Sequence, residues 1–270
     1  MVSPEFSRKV KHNVGRNFDQ SLSQYQAFES RYRFFADLCL HLAQWIDLKP
    51  DTDVLDVGCG NGVSAAVLNQ HFGCRVLGVD LSPTMVAAGN AVLDGRNARL
   101  VVGDGEALSA LVAGRRFDYV LYNASIFIFP DVPRTIREAV QCLRPAGKIV
   151  FSFYPCLAGP ADEDLMTLAF QNMGMPPPRS RVITAYEDAC RALAAACGPV
   201  AHHRWVQPLD IDFMIAFFSI PAQSASLFPG CDYEQRRQKV RTLFDRMADL
   251  ERRGTVVWRM AQAACTPDNR

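Results

Sequence analysis

The stretch Val54-Leu55-Asp56-Val57-Gly58-Cys59-Gly60-Asn61-Gly62 constrains this chain more than any other. Val54, Leu55 and Val57 read as a short buried strand, with Asp56 near its carboxyl end. The glycines turn the chain sharply and let a ligand lie against bare backbone. Ser64 to Gln70 reads as the helix that follows. A strand, a glycine turn and a helix heading an alternating β/α pattern predict a nucleotide-type site. The spacing is D-x-G-x-G-x-G, so the third glycine comes one residue early for the dinucleotide fingerprint G-x-G-x-x-G. A carboxylate before the first glycine would repel a pyrophosphate. It suits a ligand with a positive group, such as the ammonium of an amino acid.

The following segments extend the pattern. Arg75 to Asp80 reads as a second strand, and Asp80 ends it 24 residues after Asp56. An acid at that remove lies beside the glycine turn in the neighbouring parallel strand, where it can accept both hydroxyls of a ribose. Ser82-Pro83 caps a helix over Thr84 to Ala91. Ala98 to Val102 is a third strand, ending in Gly103-Asp104-Gly105-Glu106, and Phe117 to Tyr122 a fourth, leading into Asn123 to Phe127. Val132 to Leu143 is a helix, Arg144 to Gly147 a turn, and Lys148 to Phe153 a fifth strand.

These elements together resemble the class I S-adenosylmethionine (SAM) methyltransferases. The carriers of the resemblance are the D-x-G-x-G turn, the acid closing strand two with its D-L-S-P-x-M run, and G-D-G-E after strand three. The resemblance implies SAM as cofactor, held by Asp56, Gly58, Cys59, Gly60, Asp80, Leu81, Asp104, Gly105 and Asn123. Asp104 would accept from the adenine amino group. Phe18 to Trp45 loosely resembles the N-terminal helices of malonyl-carrier-protein O-methyltransferases and quinone C-methyltransferases, which close over the cofactor. The expected fold is α/β, a Rossmann-like, seven-stranded, mostly parallel sheet with helices on both faces. An N-terminal helical cover takes residues 1–48 and the SAM-binding core 49–209. A helical insertion or lid takes 210–253, before the last strand and tail at 254–270.

The flanks are read from periodicity and punctuation. Residues 1–15 read as loose, and Asn17 to Ile46 as helical, with Phe28, Tyr32, Phe35, Leu38, Leu42 and Trp45 recurring at three and four and a break at Tyr25-Gln26. Beyond Tyr154, the run Met175-Pro176-Pro177-Pro178 is an extended loop. Ala185 to Cys197 reads as a helix, Val200 to Val206 as a strand, Asp210 to Phe218 and Tyr233 to Arg252 as helices, and Thr255 to Ala261 as the last strand.

Composition narrows the function. A net charge of +1 gives no electrostatic case for a nucleic-acid partner. Nine cysteines without a C-x-x-C pair argue against a disulfide framework and a zinc site, so no metal is expected and a reducing cytoplasm fits best. The start lacks the apolar segment of a secretory signal, and the apolar run Ile211 to Ile220 is interrupted by Asp212 and Ser219, so no membrane span is expected.

The acceptor is less legible. Asn123-Ala124-Ser125-Ile126 is not the Asn/Asp-Pro-Pro-aromatic run of methyltransferases acting on adenine or glutamine amino groups. Tyr154-Pro155-Cys156 lacks the second Pro-Cys pair of RNA cytosine methyltransferases. Tyr25, Phe127, Phe213, Phe217 and Trp258, with Phe18 and Phe228, could line an apolar acceptor pocket, each having core packing as its competing role. His202, His203 and Tyr25 are the catalytic candidates, the histidines as general bases near neutral pH. The Arg-rich stretch 236–253 reads as a solvated helix face or as a dock for an acidic carrier protein or an anionic substrate. The expected function is methyl transfer to a small, largely apolar organic acceptor at oxygen or carbon. The alternatives are a SAM-binding regulatory protein without turnover and a methyltransferase of a carrier-bound acyl group.

Overall fold

The computed structural model describes residues 2–176, 182–245, 247 and 254–265. The chain begins with three helices, α1 (Pro4–Asp19), α2 (Leu22–Tyr32) and α3 (Phe34–Trp45). The alternating part follows: β1 (Asp53–Val57), α4 (Val63–Phe72), β2 (Arg75–Asp80), α5 (Pro83–Leu93), β3 (Ala98–Val102), α6 (Leu108–Leu111), β4 (Phe117–Tyr122), α7 (Val132–Cys142) and β5 (Leu143–Ser152). A single 3₁₀ turn, Ile126–Ile128, follows β4. The last part contains β6 (Cys156–Ala158), α8 (Leu165–Asn172), α9 (Tyr186–Cys197), β7 (Ala201–Pro208), α10 (Ile211–Phe218), α11 (Pro221–Ser224), α12 (Tyr233–Asp245) and β8 (Thr255–Ala264).

β3-β2-β1-β4-β5 are parallel neighbours, and β8 runs antiparallel to β5. β5 pairs with residues 260–264 of β8 and β6 with 255–257, while β7 pairs along 255–262. β5 and β6 therefore follow one another along one edge of β8, and β7 takes the other. The described residues form eight strands against the expected seven; the extra one is the three-residue β6.

The central strands are buried on both faces, as a parallel sheet between helices must be. All five residues of β1 are buried, and alternate side chains serve opposite layers. Val54, Tyr119, Leu121 and Val150 pack with α3, α4 and α10. Leu55, Val57, Val120, Tyr122, Ile149 and Phe151 pack with α7 and α9. The amino ends of the strands are tied by ions. Arg75 and Arg144 hold Asp53, and Arg144 also holds Asp118 at 2.6 Å. The Arg75 hydrogen bond, followed by that of Arg144, overcomes the opposing effect of burial and keeps the Asp53 carboxyl at about 2. The carboxyl ends are left to the turns that form the site.

Several expectations need correction. Residues 1–15 are not loose, because Ser3 caps α1 by accepting from the Phe6 N–H and Pro4 sits in its first turn. The breaks fall at Gln20-Ser21 and at Arg33, not at Tyr25-Gln26. Arg33 is left-handed (φ 52°), and the buried Glu29 carboxylate accepts from the Phe35 and Ala36 N–H groups that open α3. Leu165–Asn172, unassigned in the sequence reading, is a helix capped by Asp164. Residues 144–147 belong to β5, where the register with β4 shifts and Ala146 takes φ 62°. Cys197 and Cys265 form a single disulfide joining the end of α9 to the residue after β8, which the expectation of a reducing environment does not include; the other seven cysteines are free. The proline run at 177–178 and most of 246–253 lie outside the described residues.

Candidate active site

A cavity opens at the carboxyl ends of β1, β2, β3 and β4, where ligands sit in open α/β sheets. The turn after β1 forms one wall. Gly58 has φ +74°, and a Cβ there would lie 2.6 Å from the Ser125 Cβ, so both conformation and space require glycine. Ser125 closes this contact by donating to the Val57 carbonyl at 2.6 Å. A Cβ on Gly105 would meet Phe129 at 2.5 Å and Val57 at 2.7 Å.

Asp80 is fixed by the turn it faces. One oxygen accepts from the Gly60 N–H at 2.8 Å and the other from the Ser82 N–H at 2.9 Å. Each retains a lone pair for a hydroxyl. Burial raises the Asp80 pKa, and its backbone hydrogen bonds oppose that rise. Asp56 is buried and does not itself line the cavity; it lies two residues before the turn that does. Neither of its oxygens has a hydrogen-bond partner among the described residues. Burial, helped by the charge of Asp80, pushes its carboxyl up to about 7. An orphaned buried carboxylate is costly and suits a cationic ligand group.

At the far end of this half, Asp104 accepts from the Glu106 N–H at 2.9 Å and from the Lys11 ammonium at 2.7 Å. Lys11, Asp80 and Asp104 are the charged residues lining the cavity among the described residues. Leu81, Gly105 and Cys59 also line it. The Cys59 thiol is buried, which pushes its pKa well up and makes it a packing group, not a nucleophile. Asn123 lines the cavity with its amide already committed. It donates to the Phe35 carbonyl at 3.1 Å and the Ser64 hydroxyl at 3.0 Å, and accepts from Ser152 at 3.2 Å. Its side chain ties α3 to the sheet.

The other half is aromatic. Tyr25, Phe35, Phe127, Tyr154, Phe217 and Trp258 line it, with Gln223 and Ser226 beside them. Tyr25 stacks on Phe35 at 5.1 Å between ring centroids. Burial first, then the charges of Glu29, Asp80 and Asp56, raise its phenol pKa well above the ordinary value. Tyr25 is therefore a hydrogen-bond donor at neutral pH, not a ready base. Trp258 is fully buried, and its indole N–H has no partner among the described residues.

Four of the expected pocket residues, Tyr25, Phe127, Phe217 and Trp258, meet here, as does Phe18. Phe213 does not. It packs among Phe28, Tyr32 and Phe34 in the core, 4.6 Å from the Phe34 ring. Phe228 stacks on Phe170 instead. His202 and His203 lie on β7 at the sheet edge and do not line the cavity, which removes them as bases. His202 meets the Tyr186 hydroxyl and His203 the His41 ring, both at 2.9 Å. Sequence reasoning missed Lys11, Val14 and Gly15, because it takes residues 1–15 as loose. Their spacing with Phe18, at three, four and seven, marks one helix face.

This fold, with its glycine turn, strand-end acids and orphaned carboxylate, fits the cofactor of the class I SAM-dependent methyltransferases. Residues 55–151 match the methyltransferase domain family. It is 34% identical over 137 residues to nocamycin O-methyltransferase of Saccharothrix syringae, covering 49% of this chain and 48% of that one. It is 32% identical over 143 residues to the malonyl-[acyl-carrier protein] O-methyltransferase of Herminiimonas arsenicoxydans, covering 53% and 51%. The matched region thus spans about half the length of these curated relatives. The crystal structure of the [4+2]-cyclase SpnF shares the fold, with a TM-score of 0.63 at 16% identity over 94% of this chain and 97% of that one. No helix among the described residues is long and apolar enough to cross a membrane.

Proposed function

We propose that this protein transfers a methyl group to a small, largely apolar organic acceptor, at oxygen or carbon. The carrying observation is one cavity whose charged lining residues, among those described, are Lys11, Asp80 and Asp104, the remainder being mainly turn backbone and aromatic rings. When bound, SAM supplies an electrophilic methyl on a sulfonium. Asp80 would hold its ribose, Asp104 its adenine, and Asp56 would offset its ammonium. The chain's remaining work is alignment and exclusion of water. Phe18, Tyr25 and Phe217 screen the reacting atoms, and Tyr25, Gln223 and Ser226 offer polar handles for an acceptor. No histidine lines the cavity among the described residues, which favours an acceptor already acidic enough to ionise without a dedicated base. In this reading the helices at 1–48 and the segment 210–253 act as covers over a core at 49–209, completed by 254–270.

A turnover assay tests this, with purified protein, SAM and a panel of phenols, enols and hydrophobic carboxylates, reading S-adenosylhomocysteine (SAH) formed. Methylation confined to charged polar acceptors would overturn the apolar reading. SAH binding without turnover of any acceptor would favour a regulatory SAM binder. A second reading, a carrier-bound acyl acceptor, draws support from the malonyl-carrier relatives and from Arg236, Arg237, Lys239 and Arg241 on α12. Turnover of an acyl thioester on a carrier protein, but not of the free acid, would select it.

A further inference from the structure

α1 supplies one wall of the cavity through Lys11, Val14, Gly15 and Phe18, yet none of its residues is fully buried. Apolar burial therefore holds this helix weakly. The other walls are turns of the sheet and aromatic rings packed into the core. α1 is the wall that can leave.

Two polar anchors keep it in place. At its carboxyl end, Asp19 accepts from the Ser82 hydroxyl and, at 3.4 Å, from the Thr84 N–H, at the start of α5. In its middle, the Lys11 ammonium lies 2.7 Å from Asp104 and 2.6 Å from Glu106. Lys11 is 19% exposed and Glu106 only 1%. The other Glu106 oxygen accepts from the Asp131 N–H, so this carboxylate is fixed in place. Lifting α1 strands a buried charge, a cost that a surface pair would not impose. Burial lowers the Lys11 pKa, but its hydrogen bonds to Asp104 and Glu106 and their charges more than reverse this, so Lys11 stays protonated at neutral pH.

We propose that Lys11 is the latch that sets how long the cofactor stays bound: its pairing with Asp104 and Glu106 holds α1 over the pocket and breaks each time the cofactor enters or leaves. Lys11 is thereby a positioning residue, joining the helical cover to the acid that faces the adenine. The inference rests on the SAM assignment, and the test separates the two.

Dissociation of SAH from the full-length protein is followed by stopped flow. Lys11→Met is expected to release SAH roughly tenfold faster than wild type. Lys11→Arg, which keeps the charge, should stay within about threefold. Lys11→Met with Glu106→Gln removes the stranded carboxylate that could compromise folding, and should also release SAH quickly. Release from both Lys11→Met proteins within about twofold of wild type would overturn the latch while leaving the cofactor assignment standing. A folded wild type that binds no SAH would overturn both.

Discussion

The two halves of the cavity are built on different principles. The cofactor half consists of backbone turns and carboxylates locked to the carboxyl ends of β1, β2 and β3. Asp80 is held by the Gly60 and Ser82 N–H groups, and Asp104 by the Glu106 N–H and Lys11. The acceptor half consists of side chains brought in from far along the chain: Tyr25 and Phe35 from the amino end, Phe217 and Gln223 from α10 and α11, and Trp258 from β8. One half is preorganised by hydrogen bonds within a short stretch of sequence. The other exists only once covers and sheet have packed. Variants in the first half should therefore act on cofactor affinity, and variants in the second on acceptor recognition.

The strongest test of the cofactor half is Asp56. Its carboxyl is raised from an ordinary 3.8 to about 7, chiefly by burial. A folded-state pKa above the unfolded one means that the stability is fully present below pH 3.8 and is lost as pH rises towards and through 7. The difference corresponds to as much as about 4 kcal/mol by pH 8. Asp56→Asn removes the ionisation, so the ligand-free variant should gain thermal stability relative to wild type at pH 8 and not at pH 4. It should also bind SAH more weakly, having lost the charge opposite the ammonium. Wild-type affinity for SAH should rise from pH 5.5 to 8, with a proton released on binding that calorimetry in buffers of different ionisation enthalpy would register. A stability change in Asp56→Asn that is the same at both pH values would mean that the carboxylate is already paired.

Asp80→Ala comes next. It removes a charged acceptor for two hydroxyls, and should cost on the order of 2–3 kcal/mol of SAH affinity by calorimetry. The loss of its bonds to Gly60 and Ser82 should also loosen the glycine turn. Affinity unchanged in a folded variant would remove Asp80 from the ribose site.

The same contrast explains what the sequence disclosed. Glycines at 58 and 60 and acids at 56, 80 and 104 are local signals, because the turn geometry that needs them is set within a few residues. Strands two, three and four were legible to the residue, their apolar runs being bounded by turn residues. Asn123 was found, but its role was not. That its amide is consumed by Phe35, Ser64 and Ser152 depends on three distant segments. Phe213 and Phe217 are four residues apart on one helix, yet only Phe217 reaches the cavity, and periodicity alone cannot separate them. Lys11 escaped because α1 is stabilised by its dock on distant acids, not by an apolar stripe of its own.

In the acceptor half, Phe217→Ala should raise the acceptor KM by several-fold and leave SAH affinity within about a factor of two, once an acceptor is in hand. Phe217 is 2% exposed and packs on Phe28, Phe34 and Phe218, so some loss of stability will accompany this change. Phe213→Leu is the control. It perturbs the same aromatic cluster without touching the cavity, and should change stability alone. Equal effects of the two on KM would show that the cluster, not the cavity wall, governs the acceptor.

The smallest effect is expected at β7, where the sequence offered catalytic bases. His203 stacks between Trp45 and His41, whose own ring also stacks on Trp205 at 4.4 Å. This ladder joins α3 to the edge strand and does not reach the cavity. Burial, reinforced by the charge of His203, lowers the pKa of His41. A histidine whose folded pKa is depressed favours folding above its ordinary value of 6.5 and loses that contribution as pH falls through it. Hydrogen exchange in 201–208, corrected for the intrinsic rate, should accordingly quicken on going from pH 7.5 to 5.5, and His203→Phe should remove only the smaller, charge-dependent part of that change. Its kcat at pH 7.5 should match wild type, as should that of His202→Ala. A loss of kcat larger than the loss of thermal stability can explain would return a histidine to the chemistry and require β7 to approach the cavity during turnover.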